Sequence, residues 1–149
     1  MAPPMKVTLE RLHGAQYLGT NDAGRTIVLS GPPDIGPSDD GVRPMQALLL
    51  SLASCSAVDV QLILEKGRHR LDHLEVQVEG TRADTIPAVF TAIHLRWIGA
   101  GDFSLVKLER AVSLSMEKYC SVSHMLRGSV TFTTSCELAG VPTGPPASE

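Results

Sequence analysis

At 149 residues the chain has the length of one domain, and 43% hydrophobic against 19% charged residues supplies a core and excludes global disorder. A net charge of −3 and only 4% aromatic residues exclude a phosphate-seeking, base-stacking surface, so nucleic acid is not an expected partner.

Met1 to Lys6 shows no charged segment leading into an apolar one, so no secretory leader is expected and the location expected is cytoplasmic. Residues 1–4 and 139–149 are rich in Pro, Gly and Ser and read as frayed tails around a single domain spanning 5–138. Met5 to His13 alternates loosely, and Arg25 to Ser30 is rich in β-formers. Between them, Thr20 to Gly24 reads as a turn. Gly31 to Gly41 holds three Pro, three Gly and three Asp and reads as a long loop, a candidate for function or mobility.

Pro44 suits the first turn of a helix, where its missing N–H costs nothing, and Gly67 suits its stop. The helix so framed runs to Lys66, about 34 Å long. Leucine, valine, isoleucine and alanine cover almost every face, which predicts a buried helix that one small chain has trouble surrounding and hence a partner subunit. Its apolar run from Pro44 stops at Asp59 after about 15 residues, short of the ~20 that a membrane span needs. No membrane association is expected.

Leu74, Val76 and Val78 alternate with Glu75, Gln77 and Glu79, the period of a half-buried strand. Phe90 to Ile98 predicts a second strand, and Gly99 to Asp102 a turn out of it. Leu105, Leu108, Val112 and Leu114 predict an amphipathic helix from about Ser104 to Lys118, followed by a short one from Ser121 to Leu126. Val130 to Leu138 alternates as a last strand. The class is α+β.

Three cysteines in a reducing compartment are read as thiols rather than as a disulfide frame. Cys55, in the middle of the long helix, reads by itself as a small buried hydrophobe rather than as a reactive thiol. Cys120 stands where a helix begins, and the free N–H groups and partial positive charge there favour thiolate over thiol. Cys136 shares a strand face with Phe132 and reads as core. His124, four residues after Cys120, lies on its helix face. Three ligands at most, without CxxC spacing, argue against a metal. Asp59 and Glu117 are candidate acceptors beside the cysteines, and solvation explains them equally well.

Arg43 to Leu50, followed by Ala53-Ser54-Cys55-Ser56-Ala57-Val58-Asp59-Val60, resembles the cysteine helix of the OsmC/Ohr family, the osmotically inducible and organic hydroperoxide resistance proteins. Glu117-Lys118-Tyr119-Cys120-Ser121-Val122-Ser123 resembles that family's second cysteine motif, at the family's spacing. The segment from Gly19 to Gly31 is similar to the YhfA-like branch. The resemblance covers residues 5–138. It implies two β-sheets wrapped around a long central helix, an intertwined homodimer with active sites at the subunit interface, and no cofactor. It also implies a thiol-dependent peroxidase in which Cys55 attacks an organic hydroperoxide, Cys120 resolves the sulfenic acid to a disulfide, and an external dithiol reduces it. The family pairs an arginine with a glutamate just after the helix-opening proline. Here Met45 and Gln46 follow Pro44. Arg25 and Arg43 are both candidates for the arginine, and Gln46 and Glu117 are the polar groups expected to support substrate or thiolate. On the same resemblance, a binder of small hydrophobic ligands or a redox-responsive protein with little turnover is the alternative.

Overall fold

A computed structural model describes residues 2–35 and 40–140. Two compact units divide the chain, one up to Leu48 and the other from Leu49 onward, with the boundary inside the long helix. Two three-stranded sheets and a long helix make the mixed α+β class expected from the sequence.

The first unit is an antiparallel meander of β1 (Val7–His13), β2 (Gln16–Asn21) and β3 (Thr26–Ser30). The turn into β3 forms as expected, with the Asn21 side-chain oxygen accepting from the N–H groups of Ala23 and Arg25. β2 was not expected, because Gln-Tyr-Leu-Gly-Thr-Asn carries neither clean alternation nor a β-branched run. Its register against both neighbours makes it the central strand. A short 3₁₀ turn, Pro33–Ile35, opens the Gly31–Gly41 loop, whose residues 36–39 lie outside the described residues, as do 141–149 of the expected C-terminal tail.

Helix α1 runs Pro44–Lys66, the bounds read from the sequence. The left-handed closing residue, however, is not Gly67. The left-handed residue is Arg68 (φ 63°), with the Arg68 N–H donating to Glu65 O and the His69 N–H to Leu64 O, the double closure of a Schellman ending. Gly67 is the last residue before it.

Two expectations about α1 need correction. Past Asp59 the helix is again apolar, so by length and composition alone it is long enough to cross a bilayer. Nor is it buried all round. A single stripe at every fourth position (Leu52, Ser56, Val60 and Leu64) is fully buried, while Leu50, Val58 and Leu62 remain about half exposed. One chain supplies one packing layer, and a helix can bury only the face that meets it.

In the second unit, β4 (Leu71–Arg82) and β5 (Phe90–Gly101) form an antiparallel pair, and β6 (Thr131–Leu138) adds parallel to β5. A parallel neighbour requires a crossover, supplied by α2 (Leu105–Leu114), a π-turn (Ser115–Tyr119) and α3 (Ser121–Leu126). Ile93, Leu95 and Trp97 point to one face of β5 and are buried, with Leu108, Ala111 and Val112 of α2 buried likewise. Each large side chain so buried contributes about 2 kcal/mol. At Gly80 of β4 an added Cβ would lie 2.8 Å or closer to two atoms of the Phe90 ring, so the close seating of that ring from β5 demands a glycine there. The amphipathic segment expected to run to Lys118 as one helix instead ends at Leu114 and widens into the π-turn.

Candidate functional site

Cys55 sits half-buried on α1, one position before the buried stripe residue Ser56. Cys120 is fully buried and is the N-cap of α3, its sulfur accepting from the Ser123 N–H at 3.4 Å. Cys55 acts on the Cys120 thiol both through its side chain as a hydrogen-bond partner and through its charge, which makes the two cysteines neighbours although their sequence positions are remote. That bond and the nearby Cys55 charge both raise the Cys120 pKa, but burial is the largest cause, and together they outweigh the Ser123 N–H, which lowers it. The net direction reverses the expectation of a thiolate at a helix start. Removal from water costs the anion more than one N–H at the end of a single-turn helix returns.

The backbone around this pair is held by serines that the sequence reading passed over. The Ser115 hydroxyl, fully buried, has one proton to share between Ser56 O at 3.1 Å and the Asp59 carboxylate at 3.2 Å. Ser56 returns its own hydroxyl to Leu52 O (2.8 Å) and Ala53 O (3.1 Å). Ser123 Oγ bonds Met116 O and Cys120 O, both at 3.0 Å. Arg127 Nη2 donates to Met116 O at 2.9 Å and Glu117 O at 3.3 Å. His124 Nε2 reaches Glu117 O at 3.0 Å and also stands 3.3 Å from Arg127 Nη2. With its proton on that nitrogen the imidazole donates to the carbonyl and leaves no lone pair for the guanidinium. His124 thus caps a carbonyl of the π-turn. Among the described residues no three His, Cys, Asp or Glu side chains converge to hold a metal.

The remaining candidates separate. Glu117 is exposed on the π-turn, and its backbone carbonyl, rather than its carboxylate, carries the bonds just described. Arg25, Arg43 and Gln46 belong to the first unit. Arg25 is exposed beside the β2–β3 turn. Gln46 Oε1 accepts the Arg43 N–H at 3.0 Å, the backward arm of a capping box at the start of α1, so its side chain serves the helix end. Cys136, expected in the core, is only half-buried on β6, its pKa pushed up to about 11 by burial and then by the charge of Glu109.

A cleft of about 260 Å³ is lined by Asp59, Leu62, Ile63 and Lys66 of α1 with Leu114 and Tyr119, and neither Cys55 nor Cys120 is part of its wall. It is mainly apolar, with one cation and one anion at its walls.

Four likenesses bear on this arrangement. A family model described as OsmC-like protein matches residues 36–135. Protein YhfA of Escherichia coli K12 is 36% identical over 135 residues, spanning 90% of this chain and 98% of that one. Among solved structures, a hypothetical protein from Aquifex aeolicus VF5 superposes with a TM-score of 0.81 at 32% identity, over 93% of this chain and 98% of that one. The organic hydroperoxide resistance protein OhrB of Bacillus subtilis shares the fold, with a TM-score of 0.62 at 20% identity over 90% and 98% of the two chains. The chain belongs to the OsmC-like protein family.

Proposed function

We propose that this protein is a cytoplasmic, thiol-dependent peroxidase for organic hydroperoxides, working as a homodimer. The neighbouring thiols Cys55 and Cys120, the one raising the pKa of the other, carry the reading. It is supported by membership of the OsmC-like family and by a shared fold with a protein named for organic hydroperoxide resistance. Cys55 is the more exposed sulfur and meets the oxidant. Its thiolate attacks the outer peroxide oxygen, an S–O bond forms, the O–O bond breaks, and the alkoxide leaves to take a proton as alcohol. Cys120, which holds its proton in the resting site, then attacks the sulfenic sulfur. The S–S bond forms, the S–O bond breaks and water departs. An external dithiol returns both thiols and leaves as its own disulfide. The cleft beside Tyr119 gives the organic group of the peroxide an apolar wall at Leu62, Ile63 and Leu114, which favours organic over hydrogen peroxide.

The test is consumption of cumene hydroperoxide with dithiothreitol as reductant. Cys55→Ser is expected to abolish turnover, and Cys120→Ser to allow one turnover and then over-oxidation of Cys55. An unchanged rate in Cys55→Ser sinks the proposal. A second reading, a binder of small hydrophobic ligands with little turnover, is favoured by one observation. An apolar pocket of about 440 Å³ in the first unit is lined by Leu9, Ala15, Tyr17, Leu29, Ile35 and Pro44, and the buried Ser30 hydroxyl at its wall has no hydrogen-bond partner among the described residues. A hydrophobic small molecule retained through native mass spectrometry, with both thiols inert to peroxide, selects that reading.

A further inference from the structure

Between the two cysteine segments stands one residue that bonds both. The Cys120 N–H reaches back five positions to Ser115 O at 2.7 Å, the bond that makes this stretch a π-turn. The Ser115 hydroxyl crosses to Ser56 O at 3.1 Å, next to Cys55 along the chain. In a continuing α-helix the Cys120 N–H would instead go to Met116 O. That carbonyl is already taken by Ser123 Oγ and Arg127 Nη2, so the widened turn is held from its far end as well. Both serines, 115 and 56, are fully buried, and water does not compete for their bonds.

We propose that Ser115 is a positioning residue for disulfide closure: through its carbonyl and its hydroxyl it fixes the Cys120 backbone against the Cys55 turn of α1, and so sets the effective concentration of one thiol at the other. The proposal rests on the Cys55–Cys120 pair of the peroxidase reading but does not need turnover. Two groups held at bonding distance react as if at high concentration, and a misplacement of about 1 Å forfeits much of that gain. Ser115 touches neither peroxide nor sulfur in the chemistry; it acts through backbone.

The experiment compares full-length wild type, Ser115→Ala and Ser104→Ala. Ser104 is the N-cap of α2, accepting from the Lys107 N–H, so its loss weakens the same crossover without touching the π-turn. The chains are equilibrated with oxidised and reduced dithiothreitol at fixed ratio, then quenched by alkylation and weighed by mass spectrometry. In this exchange two electrons and two protons pass from the protein dithiol to the reagent, the protein S–S bond forms and the reagent's breaks. The ratio of disulfide to dithiol is expected to fall about tenfold in Ser115→Ala, with Ser104→Ala staying within about twofold of wild type. A wild-type ratio in Ser115→Ala, or an equal fall in Ser104→Ala, overturns the proposal. A second arm adds cumene hydroperoxide, where Ser115→Ala is expected to carry more Cys55 sulfinic acid because closure is slower. Should that peroxide leave Cys55 untouched in all three proteins while the dithiothreitol ratio shifts as expected, the peroxidase reading falls and the role of Ser115 stands.

Discussion

Cys120 carries a sign that only the folded chain reveals. Its position at the start of α3 argues for an anion, and the Ser123 N–H does act that way. Burial and the neighbouring Cys55 push harder in the other direction, and the thiol stays protonated well above neutral pH. In the proposed cycle, the step that requires Cys120 to give up this proton is closure of the disulfide. Below the raised pKa, each pH unit multiplies the thiolate fraction of Cys120 by about ten. The rate at which the Cys55 sulfenic acid disappears is therefore expected to keep rising through pH 9, the ordinary thiol value, without levelling there. Rapid-quench trapping of the sulfenic acid with dimedone from pH 7 to 10 measures it, and a plateau reached by pH 8 would contradict the assigned cause. Which residues are candidates for the chemistry was legible in the sequence, since both cysteine motifs stand out. Their protonation was not, because desolvation depends on what packs over a sulfur. Ser115, Ser56 and Ser123 were invisible for a related reason: a serine within an apolar helical pattern gives no sign of whether its hydroxyl bonds its own turn or another segment.

Element boundaries were read well where a stiff residue or a strict period marks them. Pro44 opens α1, the alternation around Val76 marks β4, and α3 has the bounds expected. The reading failed where tertiary bonds override local pattern. β2 pairs on both sides without a strand signature, and α2 widens at Ser115 because partners from outside the helix take its carbonyls. The end of α1 gives a direct test. Arg68 holds a left-handed backbone that costs an L-residue about 1–2 kcal/mol, whereas glycine adopts it freely. Glycine also gains freedom in the unfolded chain, which returns about 0.4–1 kcal/mol of that benefit. Arg68→Gly is accordingly expected to stabilise the protein by about 0.5–1 kcal/mol, seen as a higher urea midpoint at unchanged slope. A lower midpoint would show that the Arg68 side chain contributes more than its backbone costs.

The whole chain leaves apolar surface that one copy does not cover. On α1, Leu50, Val58 and Leu62 recur on one stripe at every fourth and eighth position, each about half exposed. In the first unit Val7, Leu9 and Ile27 stand exposed on β1 and β3. A helix long and apolar enough for a bilayer could cover its stripe with lipid, but Asp59 lies within it, its carboxylate 3.2 Å from the Ser115 hydroxyl, and a mid-helix carboxylate is expensive in hydrocarbon. A second copy of the chain removes the same surface from water at no such cost. Each half-exposed leucine or valine gains about 1 kcal/mol when covered, twice over in a symmetric pair. The double substitution Val58→Glu with Leu62→Glu places four carboxylates in that contact. It is expected to convert the protein to a monomer at micromolar concentration by sedimentation velocity, while the buried stripe of Leu52, Val60 and Leu64 keeps the second unit folded. A wild-type chain that already sediments as a monomer would remove the homodimer from the proposed function. A dimer that survives both glutamates would move its interface off α1.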